Sequence, residues 1–266
     1  MEIGSADGTP VVSPARRQKP VPIAELLRPQ PQFFATASVA CPYVPGRAER
    51  KLIVELNGFQ AADFYDELSR AGFRRSHRFA YRPACRQCTA CVPVRIDVAG
   101  FAHSRSTRRV RNLNRHLAGR LGPARGTLEQ FRLFLAYQRS RHPDSEMAAM
   151  TCEDYRSMVE ETAVRTAVAE FRDAAGALVG ATLLDRLDDG FSAVYSFYDP
   201  APQRHSLGTW TILWLIEECR RLGLPYVYLG YWIAESPKMA YKSRFPALQQ
   251  LTEHGWAPFA TPLPAR

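Results

Sequence analysis

Three cysteines fall within seven residues of the stretch "YRPACRQCTACVPVRI", Tyr81–Ile96. Thiolates spaced as Cys85-x-x-Cys88-x-x-Cys91 are metal-ligand chemistry: with a fourth donor they complete a tetrahedral zinc site or hold an iron–sulfur cluster. Cys41, in "CPYVPGR", is the natural remote fourth ligand. A cluster of reduced thiols without a metal is the competing reading, and the spacing leaves all three open. Cys152 and Cys219 fall in predicted helices and read as buried thiols. The histidines are scattered, and no Ser-His-Asp or Cys-His nucleophile pattern stands out.

A second chemical stretch is "SPKMAYKSRFP", Ser236–Pro246. Lys238, Tyr241 and Lys242 stand at i, i+3 and i+4, so one helical turn puts them on one face. An aromatic ring between two cations suits a terminal nucleoside and its phosphates, by stacking and charge. "YSFYDP", Tyr195–Pro200, offers Tyr198 and Asp199 for amine binding or proton relay, although Asp-Pro is also ordinary turn chemistry. Tyr198, Asp199, Lys238 and Tyr241 are the catalytic candidates. Tyr228 and Tyr231, on a short apolar strand, could line a pocket or fill a core.

Charge points to the partner class. The chain has 35 Lys and Arg against 26 Asp and Glu, a net +9, which favours a polyanion such as nucleic acid. The bias concentrates in "SRSTRRVRNLNRHLAG", Ser104–Gly119, where Val110, Leu113 and Leu117 form an apolar stripe and Arg105, Arg108 and Arg109 lie opposite. A solvated basic face is the bland alternative. Seven arginines and no acidic residue between Ala99 and Gly126 favour phosphate contact instead. Arg74, Arg75, Arg78, Arg82 and Arg95 crowd around the cysteines. No run approaches the ~18 apolar residues of a membrane helix. Residues 1–22 have no apolar stretch of the signal-peptide type, so a cytoplasmic location and no membrane partner are expected.

The elements that must carry these groups are legible in outline. Residues 1–31, with six prolines, are expected to be a flexible lead. A strand at Lys51–Leu56, a helix around Ala61–Ala71 stopped by Gly72, and a strand at Val92–Val98 follow. Thr127-Leu128-Glu129-Gln130 is a capping-box pattern opening a helix to about Arg141, with Leu128, Phe131, Leu135 and Gln138 in register. Strands are expected at Ala163–Arg172, Leu178–Leu187 and Phe191–Tyr198, then a helix at Leu207–Leu222 and a strand at Tyr226–Tyr231. The fold class is therefore α/β (α+β), divided into a lead to residue 31, a Cys-rich domain over 32–120 and a second domain over 121–266.

Three strands, a helix and a fourth strand is the core order of the acetyltransferase-like (GNAT) fold, in which the helix N-terminus receives a pyrophosphate. The corresponding stretch here, "RHSLGT", Arg204–Thr209, keeps Arg204 but has one glycine, Gly208, and Leu207 where the first would stand. That departure fits an acyl donor other than acyl-CoA. The cysteine stretches, together with "SLGTWTILWLIEECRRLGLPYVYLGYWIAESPKMAYKSRFPALQQL", resemble the aminoacyl-tRNA–protein transferases of the N-degron pathway over about Phe34–Leu251. The resemblance implies an acetyltransferase-like second half and a Cys-rich α+β first half of related fold. It implies transfer of leucine from leucyl-tRNA to proteins beginning with Asp or Glu, as the compact bacterial members do. Longer eukaryotic relatives transfer arginine, which is the alternative within the family. A non-catalytic nucleic-acid module is the alternative outside it. The implied partners are leucyl-tRNA and acidic N-termini. Arg75, Arg82, Arg95, Arg105, Arg108, Arg109, Arg204 and Lys242 are the substrate and tRNA contacts. The chemistry needs no cofactor; the eukaryotic relatives imply an iron–sulfur cluster on Cys41, Cys85, Cys88 and Cys91, with zinc or no metal as the alternatives. Val44 stands where those relatives carry the second cysteine of a pair.

Overall fold

The computed structural model describes residues 31–58, 60–201 and 206–260. The expected flexible lead lies outside them, save Pro31. The chain opens with β1 (Phe33–Ala35), a small ribbon of β2 (Val39–Ala40) and β3 (Ala48–Glu49), and β4 (Lys51–Glu55). Next come α1 (Ala61–Arg70), β5 (Arg74–Ser76), β6 (Phe79–Pro83) and β7 (Val92–Asp97). The middle holds α2 (Arg105–Leu113), β8 (Ala118–Pro123), α3 (Leu128–Arg141) and α4 (Cys152–Glu160). The last part holds β9 (Thr166–Arg172), β10 (Leu178–Arg186), β11 (Gly190–Tyr198), α5 (Leu207–Arg221), β12 (Tyr226–Trp232), α6 (Pro237–Ala240), β13 (Leu248–Thr252) and β14 (Gly255–Pro258). The mixed α/β class and the β-β-β-α-β order agree with expectation.

Eight strands form one sheet in the order β14-β13-β7-β12-β11-β10-β9-β8, and β1-β4-β6-β5 form a second. Strand alternation sorts the side chains of the long sheet. Leu184 joins Trp210, Leu213 and Ile216 of α5 on one face, while its neighbour Leu183 joins Phe134 of α3 and Tyr155 of α4 on the other. Tyr65 and Leu68 of α1 pack with Val54 and Ala80 of the small sheet against Leu187 and Tyr228 of the long one.

Three expectations are corrected. A boundary at residue 120 would cut through one sheet, because β7 lies between β12 and β13, and residues Gln32–Arg266 make one compact unit. The basic helix ends at Leu113, four residues before the Leu117 of its expected stripe, because Asn114 turns its Nδ2–H back onto the Val110 carbonyl at 2.9 Å. The chain then forms the edge strand β8, where the sequence reading placed no strand. In α3 the capping box forms as expected and Gln138 is buried, but the face is turned: Gln130 and Phe134 are buried while Leu128 is 54% exposed.

An ion pair ties the two sheets. Arg75 of β5, 3% exposed, donates from Nε and Nη2 to both carboxylate oxygens of Asp185 on β10 at 2.8 Å, and from Nη1 to the His77 carbonyl. Thr166 Oγ1 donates to the same carboxylate at 2.9 Å. Removing one partner leaves the other charged and out of water, so Asp185→Ala is expected to cost about 3–5 kcal/mol in urea unfolding. A loss below about 1 kcal/mol would mean the pair is idle.

Candidate functional site

Where β11 and β12 meet, the fold changes character. The two strands are parallel and pair only over Gly190–Ser192 and Tyr226–Tyr228. They touch closely there, since a Cβ on Gly190 would fall 2.1 Å from the Tyr226 carbonyl oxygen. Beyond that point each strand carries a bulge. Ala193 faces Leu184 and Tyr195 faces Leu183, leaving Val194 extra in β11. Leu229 is likewise extra in β12, between Tyr228 opposite Arg95 and Gly230 opposite Val94. Bulges bend a strand and raise its twist, so β11 and β12 separate.

Arg74 occupies the opening. Its Nη2 donates to the Ala193 carbonyl at 2.5 Å and to the Val194 carbonyl at 3.2 Å. Its guanidinium lies against Gly230, where a Cβ would come within 2.8 Å of Cζ. Gly230 has φ +75°, a left-handed conformation that disfavours any side chain, so backbone and guanidinium both demand glycine. Nη1 of Arg74 is buried without a hydrogen-bond partner.

A cavity of about 340 Å³ opens over this arginine. Its walls include Tyr81 and Tyr231 from the sheets, Tyr137 and His142 from the end of α3, and Lys238, Tyr241 and Lys242 from α6 and the turn of 3₁₀ helix after it. Among the described residues its lining holds no Asp or Glu. Burial pushes the phenols of Tyr137 and Tyr231 up and that of Tyr241 up to about 12, so all three remain protonated hydrogen-bond donors at neutral pH. Tyr231 uses its hydroxyl to hold the small sheet, donating to the Gly72 carbonyl at 2.9 Å. The His142 ring is pushed below its ordinary value by burial and then by Lys238 and Arg141, and its Nδ1 lies 3.3 Å from Lys238 Nζ.

Lys242 is the unusual group. It is 7% exposed, and its Nζ donates to the Tyr231 carbonyl at 2.7 Å and lies 3.4 Å from Met239 Sδ. Among the described residues no carboxylate compensates it. Burial first, and the Arg74 charge second, pull its pKa down to about 7. A neutral amine has two N–H bonds, which these neighbours occupy, and its lone pair is then its remaining valence.

Other expected site residues have different employments. Arg75 and Arg95 are structural. Arg95 is 7% exposed, bonds Gln249 and the Tyr228 hydroxyl, and lies 3.4 Å from the Tyr226 ring centroid and 4.4 Å from that of Trp256. Tyr228 thereby belongs to the core, while Tyr231 lines the cavity. Arg82 donates to the Ala71 carbonyl. Asp199 accepts from Ala201 N–H at 2.9 Å, closing its own turn. Tyr198 stacks edge-on against Tyr137, centroids 4.9 Å apart, and covers Gly208 at the start of α5. Arg105 and Arg109 are exposed on α2 and share a groove with Ser206, the residue before α5; Arg108 is exposed too and caps the His103 carbonyl. Arg204 lies outside the described residues. Sequence reasoning did not single out Gly230 or Tyr137, and it named Arg74 only as one of five arginines that could meet an acidic acceptor side chain.

The thiols share one neighbourhood. Burial, then the charges of Cys41, Cys85 and Cys88, push Cys91 up to about 12. The Ala90 backbone N–H and the Arg47 guanidinium hold Cys88 below its ordinary value. Cys85 Sγ accepts from Arg50 N–H at 3.4 Å. Among the described residues no three His, Cys, Asp or Glu side chains are arranged to hold a metal ion. Cys219 is a buried thiol, pushed up to about 12 by burial, and Cys152 is half-buried.

Comparison with known proteins adds an independent line. Models of the N terminus and C terminus of arginine-tRNA-protein transferase match residues 39–109 and 129–252. Three similar proteins carry the name aspartate/glutamate leucyltransferase. The one from Paramagnetospirillum magneticum is 53% identical over 86% of this chain and 93% of its own. That from Rhodospirillum rubrum is 53% identical over 85% and 93%, and that from Gluconacetobacter diazotrophicus 51% over 87% and 88%.

The buried lysine has a signature in stability. From about pH 10 down to about 7 the unfolded chain protonates Lys242 while the folded chain keeps it neutral, so the native state loses stability across that window. Lys242→Met removes the penalty. Urea titrations are expected to show its advantage over wild type growing as pH falls from 10 to 7 and levelling below; a constant difference would refute the neutral lysine.

Proposed function

The chain belongs to the arginine-tRNA-protein transferase family, and we propose that its cavity is where leucine passes from leucyl-tRNA to the amine of a protein beginning with Asp or Glu. The carrying observation is the basic, acid-free cavity at the parting of β11 and β12, bordered by Lys238, Tyr241 and Lys242. The parting itself, between a three-strand meander and α5, is what supports an acetyltransferase-like reading of this half. The donor here is an ester already activated by its tRNA, so positioning and charge outweigh heavy acid–base work.

The steps follow from the groups present. The acceptor's α-ammonium must lose a proton before it attacks, and Lys242, neutral near pH 7, takes it. The amine nitrogen then bonds to the ester carbonyl carbon. The ester C–O bond breaks, and the second N–H proton goes to the departing ribose oxygen. The protonated Tyr241 of the wall supplies a hydrogen bond to the carbonyl oxygen as it gains charge. Arg105 and Arg109, beside Ser206 at the head of α5, would receive tRNA phosphates.

Incubated with leucyl-tRNA and a peptide beginning with Asp, the protein is expected to add one leucine to the peptide's N-terminus, read by mass spectrometry. Arginine added from arginyl-tRNA, and no leucine, would move the assignment to the arginyl reaction. Binding of tRNA without any transfer would favour a non-catalytic module.

The pH profile of that reaction tests Lys242. In wild type kcat/KM is expected to rise through an ionisation near 7. Lys242→Met is expected to lower kcat by roughly 100-fold and leave one limb, set by the acceptor amine near ~7.7–8.0. An unchanged profile would exclude Lys242 as the proton acceptor.

A further inference from the structure

Arg74 differs from its clamped neighbour Arg75 in having no counter-charge. Arg75, its neighbour, is clamped by Asp185, and Arg95 is enclosed by rings and Gln249. Among the described residues Arg74 makes no ion pair with any carboxylate; its partners are the two backbone carbonyls of the bulged strand. A guanidinium stays charged at every accessible pH, so this charge persists in a half-enclosed place without compensation. The cavity offers no relief: Lys238 adds positive potential and, among the described residues, no acid lines it. A fold that withholds the anion from one end of a cavity has left that anion to the ligand.

We propose that Arg74 is the seat of the acceptor's acidic side chain: the carboxylate of an N-terminal Asp or Glu enters the cavity and becomes the counter-ion of this guanidinium. The inference rests on the aminoacyl-transfer reading of the same site and adds to it the residue that selects the acceptor. An Asn side chain has nearly the size of Asp but brings no charge, so it leaves Arg74 uncompensated. Glu differs from Asp by one methylene, a difference that pockets discriminate weakly. Gly230 belongs to the seat because any side chain there would displace the guanidinium. Tyr81, directly across from Arg74 in the small sheet, walls the same end of the cavity.

The test compares two peptides, alike except that one begins with Asp and the other with Asn, as leucine acceptors for the full chain charged with leucyl-tRNA. Wild type is expected to prefer Asp. Arg74→Gln, which removes the charge and keeps a polar side chain, is expected to lower kcat/KM for Asp by roughly 100-fold and for Asn by less than about threefold, so that the preference collapses. Arg74→Lys keeps a charge on a similar stem and is expected to retain an intermediate preference; it carries the test if the Gln variant fails to fold, as judged by thermal melting. Equal losses on both peptides would overturn the proposal and make Arg74 a stabiliser of the reacting carbonyl or of the fold. Wild type using both peptides equally would also overturn it while leaving leucine transfer intact. Wild type using neither would refute the transfer reading itself.

Discussion

Strands β11 and β12 are hydrogen-bonded for three residues and then part, and a buried sheet cannot leave that gap empty. Carbonyls that lose a ladder partner need another donor or water. Arg74 supplies the donor, bridging from the small sheet to Ala193 and Val194. The second sheet is thus part of the long sheet's hydrogen bonding, which explains why the molecule does not divide near residue 120. The parting also makes the cavity: two diverging strands form its floor, α3 and the segment after β12 form its sides, and a side chain from outside the sheet enters from below.

The period of two along a strand decides what adjacent arginines do. Arg75 points to the interface with β10 and finds Asp185; Arg74 points the other way and finds only carbonyls. Both are costly to bury. One cost is offset within the fold, and the native state gains a rigid tie between sheets. The other is offset only in part, and the residual field falls in the cavity, where it can act on a ligand and on Lys242. Stability and function are divided between neighbours that differ by one residue in register.

That division could not be read from "FRRSHR", where the two arginines are equivalent. Local features were legible because their causes are local: the capping box of α3, the long apolar helix α5, and the alternation of β9, β10 and β11. The convergence of Lys238, Tyr241 and Lys242 was also legible, since one helical turn sets it, and the family resemblance marked the same stretch. Placements fixed by long-range pairing were not. β7 enters the long sheet beside strands far along the chain, and Arg95 is caged by Tyr226 and Trp256 from distant segments. Lys242 looked like a phosphate contact because nothing in its sequence neighbourhood says that it is buried. The bulges at Val194 and Leu229 leave no sequence mark, although Gly230 hints at one.

Arginine and lysine respond differently to the same cavity, and the difference suits an acidic acceptor. Arg74 keeps its charge, whereas Lys242 sheds its proton near neutrality because burial and Arg74 both disfavour the ammonium. An acceptor beginning with Asp or Glu brings a carboxylate and an ammonium together. On the proposed placement its carboxylate neutralises Arg74, which removes one of the two causes that depress Lys242. Lys242 then holds a proton more readily at the moment when the substrate's ammonium has one to give. The acidic side chain would in this way do more than bind: by cancelling the Arg74 field it would favour transfer of a proton from its own backbone amine to Lys242. A neutral N-terminal residue leaves the field in place, and the lysine remains a weak proton acceptor. Selection of the acceptor and activation of its nucleophile would then share one electrostatic origin, the uncompensated guanidinium at the parting of β11 and β12.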